Sequence, residues 1–409
     1  MNTALASELP QSLKSRSDRL NETCFCMALD REALWTTLRR EAGDPEFYEA
    51  LIEARPHLFS SVPVFVPRSA VDEMQKIVTA IEATSRLGGY QEAVLSRASE
   101  IARQDHGPVG ALMGYDFHLD DEGPKLIEVN TNAGGAFLNA PLARAQIACC
   151  AEIEPALATA KADDFEANIL RMFRSEWQRQ RGSEPLGRIA IVDDRPEDQY
   201  LYPEFALAQQ LLIKHGIEAV IADAGELQYA QGRLLAGGLP VDVVYNRLVD
   251  FSLEQPEHAA LRAAYEDGAV VVTPNPHNHA LLANKWNLTL LSDPKTLQGW
   301  GLSPELGSAL AGVPRTVLVG PDNAESMWNA RKSLFFKPLS GHGGKAVYRG
   351  DKVTKTVWAE IARGGYVAQT FAAPGERIIE LNGAPETRKV DIRLYTYDGQ
   401  VLLVAARVY

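Results

Sequence analysis

Between Arg188 and Val272 short apolar strands alternate with a helix-forming stretch. Strands are predicted at Arg188–Val192, Glu218–Ala222, Val241–Tyr245 and Ala269–Val272, with a helix over Glu204–His215 closed by Gly216. Parallel strands need a long crossover and a helix supplies it, so this rhythm commits the middle of the chain to a small parallel sheet. The flanks follow other periods. Helical patterns over Arg31–Arg40, Glu46–Ala54, Ala70–Arg86 and Gln91–Arg103 form an N-terminal helical layer. Strands at Leu112–Leu119 and Lys125–Asn130 flank the turn Asp120-Asp121-Glu122-Gly123-Pro124 and read as an antiparallel hairpin. A polar helix over Thr159–Arg181 runs into Gly182-Ser183-Glu184-Pro185-Leu186-Gly187, a boundary composition. After a helix near His277–Leu291, strands at Arg315–Val319, Leu334–Phe336, Tyr366–Gln369, Arg377–Glu380, Val390–Tyr397 and Val401–Val408 are mostly antiparallel. The fold class is α/β (α+β), in three segments: 1–186, 187–280 and 281–409.

With 41 Lys and Arg against 53 Asp and Glu the net charge is −12, which argues against a nucleic-acid or anionic-membrane partner, since both require a positive field. An anionic ligand must meet a local cluster of basic residues instead. The cysteines, Cys24, Cys26, Cys149 and Cys150, match neither a zinc spacing nor a disulfide framework, and the first 25 residues carry charge without a long apolar run. A cytoplasmic protein with reduced thiols is expected.

Five groups of residues can carry chemistry. A turn centred on Glu122 sets Asp116 opposite Glu128 and puts Asn130 on the same strand face, so two carboxylates and an amide oxygen converge. Opposed like charges are relieved by a cation, and hard oxygen ligands suit Mg²⁺ shared with phosphates; exposed carboxylates of a surface hairpin are the alternative. Phe335-Phe336-Lys337-Pro338-Leu339-Ser340-Gly341-His342-Gly343-Gly344-Lys345 ends an apolar strand in a lysine and a glycine-rich turn, a phosphate cradle that matches neither the Walker A nor the Rossmann spacing. Lys285 lies in a helical segment, and Tyr366–Phe371 breaks from strand to loop at Gln369. A turn at Asp398-Gly399 joins the strand bearing Asp391-Ile392-Arg393 to the strand bearing Arg407, and sets Arg393 opposite Val404 with Arg407 on the other face.

Together these residues resemble the ATP-grasp ligases, over most of the chain from Leu112 to Tyr409. Gly114-Tyr115-Asp116 and Glu128-Val129-Asn130 precede both lysines, an order similar to the circularly permuted ATP-grasp fold of eukaryotic-type glutathione synthetases and glutathionylspermidine-synthetase-like proteins. Leu126-Ile127-Glu128-Val129-Asn130-Thr131-Asn132-Ala133-Gly134-Gly135 resembles that family's metal strand and substrate loop, and Val243-Val244-Tyr245-Asn246-Arg247 its strand-end arginine. The resemblance implies that Lys285, Lys337, Ser340, Gly341, Gly343 and Gly344 hold the phosphates of ATP, and that Ala368, Gln369 and Phe371 hold adenine. It implies Mg²⁺ on Asp116, Glu128 and Asn130, catalysis by Arg393 and Lys337, and substrate on Arg247, Tyr245 and Asn132. Gly341 stands where the family has a glutamate metal ligand, a duty Asp116 would take over. Gln369 replaces the adenine-hinge glutamate, and its carbonyl is expected to accept from the adenine amino group. The implied activity joins a small-molecule carboxylate to an amine or short peptide through an acyl-phosphate, and a homodimer is compatible with it. A silent ATP-binding regulatory module and a small-molecule phosphotransferase are the alternatives.

Overall fold

The computed structural model describes residues 15–25, 29–55, 58–147, 164–339, 346–381 and 383–409. Helices Arg31–Glu41, Pro45–Glu53, Arg68–Ser85 and Gly88–Leu95 form the N-terminal layer. Asp30 caps the first of them by accepting from the Ala33 N–H, and Leu34 and Leu38, one turn apart, are its buried face. Met74, Ile77, Val78 and Ile81 make the inner stripe of Arg68–Ser85 and pack with Tyr115 and Phe117. The helix predicted over Gln91–Arg103 stops at Leu95, where the Ser96 hydroxyl turns back to the Ala93 carbonyl, and resumes as a single 3₁₀ turn at Ile101–Arg103.

Strands β1 (Met113–Asp120) and β2 (Gly123–Asn130) form the expected hairpin, with Asp116 opposite Glu128 and Gly114 opposite Asn130. The parallel sheet follows: β3 (Arg188–Asp193), the helix Tyr202–Lys214 and β4 (Glu218–Asp223). A small antiparallel excursion then inserts β5 (Gln228–Ala230), β6 (Arg233–Ala236) and β7 (Leu239–Pro240), before β8 (Val243–Asn246), the helix Ala259–Glu266 and β9 (Val271–Thr273) complete the sheet in the order β4-β3-β8-β9. The stretch near His277–Leu291, predicted as one helix, is broken around Lys285 because the Asn284 side chain captures the Trp286 N–H at 2.9 Å.

Next come β10 (Thr316–Leu318), β11 (Leu334–Pro338), β12 (Tyr348–Arg349) and β13 (Tyr366–Thr370), which make a separate antiparallel sheet in the order β10-β13-β11-β12. The last strands, β14 (Gly375–Leu381), β15 (Ala384–Tyr397) and β16 (Gln400–Val408), join the hairpin in the order β14-β15-β1-β2, with β16 also on β15. The first and last thirds of the chain thus share one sheet. Arg393 lies opposite Ala405, not Val404 as the turn predicts, because an irregularity between Tyr395 and Thr396 shifts the register by one. Asp391 and Arg407 consequently face each other directly. Among the described residues no helix is long and apolar enough to cross a membrane.

Candidate active site

The hairpin brings Asp116, Glu128 and Asn130 together. Asn130 Nδ2 lies 3.2 Å from Asp116 Oδ2 and 3.4 Å from Glu128 Oε1. On the other side of β1, register sets Arg393 of β15 opposite Asp116, and its guanidinium forks onto both carboxylate oxygens at 2.5 and 2.6 Å. Burial works against the Arg393 charge, but this pairing raises its pKa above even the usual arginine value. Arg407, which the turn alone places on the other face and the register shift brings opposite Asp391, donates to Asp116 Oδ2 at 3.1 Å and Asp391 Oδ2 at 2.9 Å. Burial alone would raise the Asp391 pKa, yet His118 Nε2 at 2.9 Å and Arg407 hold it below the ordinary carboxylate value.

The opposed like charges of the hairpin are therefore relieved by guanidinium groups. Asp116, 1% exposed, accepts from Arg393 on Oδ1 and from Arg393, Arg407 and Asn130 on Oδ2, so two guanidinium groups already meet its charge. Glu128 and Asn130 remain the residues suited to a divalent cation. Among the described residues no group of three or more His, Cys, Asp or Glu is placed to hold a metal. The donor set fits a cation that takes most of its ligands from phosphate oxygens.

Lys337 approaches from the neighbouring sheet. Lys337 of β11 and Gln369 of β13 share a face, and the buried ammonium donates to Gln369 Oε1 and to the Ile127 carbonyl of β2, both at 2.7 Å. Burial, with Lys285 nearby, lowers the Lys337 pKa to about 8 despite Glu128, Asp116 and Asp391. Burial and the Lys285 charge likewise push His279 down to about 3. His279 is thus a neutral ring, bonded to the Thr131 hydroxyl at 3.0 Å and stacked 3.7 Å from Phe251. Phe371 stacks on Phe335 at 5.6 Å, whereas Ala368 packs on the opposite face with Phe336, Ile361 and Tyr366. Ser340, Gly341, Gly343 and Gly344 lie outside the described residues.

At the far end, Arg247 follows β8, its N–H held by the Val192 carbonyl of β3 at 2.8 Å. Its guanidinium, 5% exposed over Phe205 and Tyr245, donates to the Ala133 carbonyl at 3.2 Å and the Tyr245 hydroxyl at 3.3 Å. Tyr245 itself is fully buried and serves as the floor beneath Arg247. The next carbonyl, Gly134, accepts from the Tyr395 hydroxyl at 2.6 Å and Arg393 Nη1 at 3.4 Å. Asn132 Nδ2 bonds the carbonyls of Arg247 and Leu248, and Glu204 accepts the Gly135 and Phe137 N–H groups. The loop 131–135 is thus tied on both sides.

One unbroken run of contacts leads from Gln369 through Lys337, β2, Asn130, Asp116, Arg393 and Gly134 to Arg247. Three buried polar atoms along it have no protein partner among the described residues: Gln369 Nε2, Arg247 Nε and Asn132 Oδ1. Buried polar groups are rarely left unpaired, so these mark positions for a ligand or water. A cavity of about 240 Å³ lined by Arg40, Glu41, Arg144, Glu166 and Lys214 lies outside this run, and its charges pair with one another.

No family model and no curated protein matches the sequence. Solved structures do match. A glutathione synthetase-like effector from Globodera pallida aligns over 90% of this chain and 96% of its own, at 13% identity and a TM-score of 0.53. A protein assigned as a gamma-glutamylcysteine synthetase from Methylobacillus flagellatus covers 85% of this chain and 84% of its own, at 10% identity and a TM-score of 0.46. The ATP-grasp ligase PsnB, complexed with a precursor variant, Mg and ADP, covers 55% of this chain and 89% of its own, at 15% identity and a TM-score of 0.30. Mixed helix and sheet, with its parallel sheet and hairpin-bearing antiparallel sheet, the chain has an ATP-grasp fold of the glutathione-synthetase-like kind.

Proposed function

We propose that the chain is an ATP-dependent ligase of circularly permuted order that joins a carboxylate to an amine. The observation that carries this reading is the continuous run from the Lys337–Gln369 pair to Arg247, with three buried polar atoms that have no partner among the described residues. Lys337 and Lys285 supply positive charge for the phosphates of ATP, and Arg247, a buried cation that donates to the neutral Ala133 carbonyl and Tyr245 hydroxyl, suits the carboxylate of an acidic substrate. Mg²⁺, when bound through Glu128 and Asn130, would neutralise phosphate charge. A substrate carboxylate oxygen attacks the γ-phosphorus, ADP leaves, and the amine then displaces phosphate from the acyl-phosphate with loss of a proton. Arg393, fixed on Asp116, is placed to meet charge on the transferring group, so the protein contributes positioning and preorganised charge. Asn132 and Tyr245 hold the loop and the guanidinium that orient the substrate.

Calorimetric titration of ATP with and without Mg²⁺, on the chain and on Lys337→Ala, tests the site. Binding that weakens about tenfold or more in the variant supports it. Glu128→Gln should leave metal-free nucleotide binding intact and damage the Mg²⁺-dependent step. No nucleotide binding by the unaltered chain overturns the reading. Binding without ADP release over a panel of acids and amines points to a silent module, and a stable phosphorylated product without added amine to a phosphotransferase.

A further inference from the structure

We infer that Gln369 recognises a purine base as a hydrogen-bond donor, from Nε2 to a ring nitrogen, reversing the polarity that the sequence leads one to expect. This rests on the nucleotide-binding reading above. An ammonium group only donates, so the Gln369 atom 2.7 Å from Lys337 Nζ must be the oxygen. Turning the amide over would set donor against donor. The Ile127 carbonyl receives a second proton of the same ammonium and fixes it from the other side. Gln369 Oε1 is thereby engaged, and Nε2 is left inside the protein, in a residue only 2% exposed, with no partner among the described residues. Such a donor costs free energy until an acceptor reaches it. The amino group of adenine, itself a donor, cannot meet that need.

The surroundings favour a base over a phosphate oxygen. Phe335 is the register partner of Gln369 across β11 and β13, so alternation places it on the face that carries Lys337 and Gln369. Phe371 stacks on Phe335 with an interplanar angle of 22°, and Arg349 covers Phe371 at 4.7 Å. The amide thus shares its strand face with an ammonium and a stacked aromatic pair, which suits a planar heterocycle whose ring nitrogens accept. Because N3 and N7 accept in both adenine and guanine, this side chain does not by itself reject guanine.

The test is calorimetry on the full chain with Mg²⁺, using ATP, three ATP analogues in which carbon replaces N1, N3 or N7, and inorganic tripolyphosphate. One analogue should bind about tenfold more weakly than ATP, the loss of a single well-placed hydrogen bond. In Gln369→Met, which keeps a weak sulfur acceptor for Lys337, has no donor and adds no charge beside the ammonium, ATP should weaken by the same factor and the sensitive analogue should bind like ATP, with tripolyphosphate unchanged within about twofold. Equal binding of ATP and all three analogues overturns the inference, as does a Gln369→Met variant that binds ATP as well as the unaltered chain. A variant that loses ATP and tripolyphosphate by the same factor assigns the donor to a phosphate and also overturns it. Failure of the unaltered chain to bind ATP would instead remove the nucleotide reading on which it depends, and shows before any variant is made.

Discussion

Lys337 is a cation held where water is scarce, and its charge is correspondingly easy to remove. With a value lowered to about 8 by burial and Lys285, the side chain is mostly charged at pH 7 and mostly neutral at pH 9. The protonated form is the one that attracts phosphate. The dissociation constant of inorganic tripolyphosphate should therefore rise about tenfold from pH 7 to pH 9, and Lys337→Arg, which cannot lose its proton in that range, should flatten the profile. A flat profile in the unaltered chain would show that Lys337 does not titrate there. At this scale residue identities were readable in the sequence but their pairings were not. Asp116, Glu128 and Lys337 announce themselves by type and spacing. That Asp116 is paired with two arginines depends on contacts between residues 277 and 291 positions apart, and that Gln369 presents its donor depends on a lysine of the neighbouring strand.

Elements set those contacts. The pairing of Asp116 with Glu128 was legible, though the turn closes at Asp120 and Gly123, one residue off the expected register, and an irregularity between Asp116 and Phe117 restores it. The β15–β16 register was not, since the irregularity at Tyr395 and Thr396 has no compositional signature, and with it went the role of Arg407. The small β5–β7 sheet also escaped notice, although its turns use Gln231-Gly232 and Gly237-Gly238, all with positive φ. His258 shows how loops at one end of the parallel sheet are held. Its ring nitrogens lie 2.7 Å from Asp194, after β3, and 2.8 Å from Asp250, after β8. Burial opposes its charge, but the two carboxylates outweigh burial and raise its value above the usual 6.5. The contribution to stability is thus complete below the unfolded value and lost as pH rises through the raised one. The urea midpoint should fall as pH increases above about 6.5, and His258→Asn should remove most of that slope while costing about 3 kcal/mol near neutral pH. An unchanged slope in the variant would assign the pH dependence elsewhere.

Across the whole molecule Glu176 is the point where separate parts meet. Fully buried, it accepts from the Val109 and Gly110 N–H groups at 3.0 Å, the Tyr397 hydroxyl of β15 at 3.0 Å, and the Thr273 hydroxyl of β9. Glu176→Ala would strand four donors from three regions of the chain. A loss of about 3 kcal/mol or more in denaturant unfolding is expected, and a loss under about 1 kcal/mol would show that these regions are held together by other means. The shared sheet has a further effect during synthesis. Asp116 and Arg393 are 277 residues apart. At about 5–20 residues per second, a ribosome needs roughly 14–55 s to pass from one to the other. Throughout that interval the emerging hairpin carries its opposed carboxylates without the guanidinium that will neutralise them, so the candidate site is among the last parts of the nascent chain to come together.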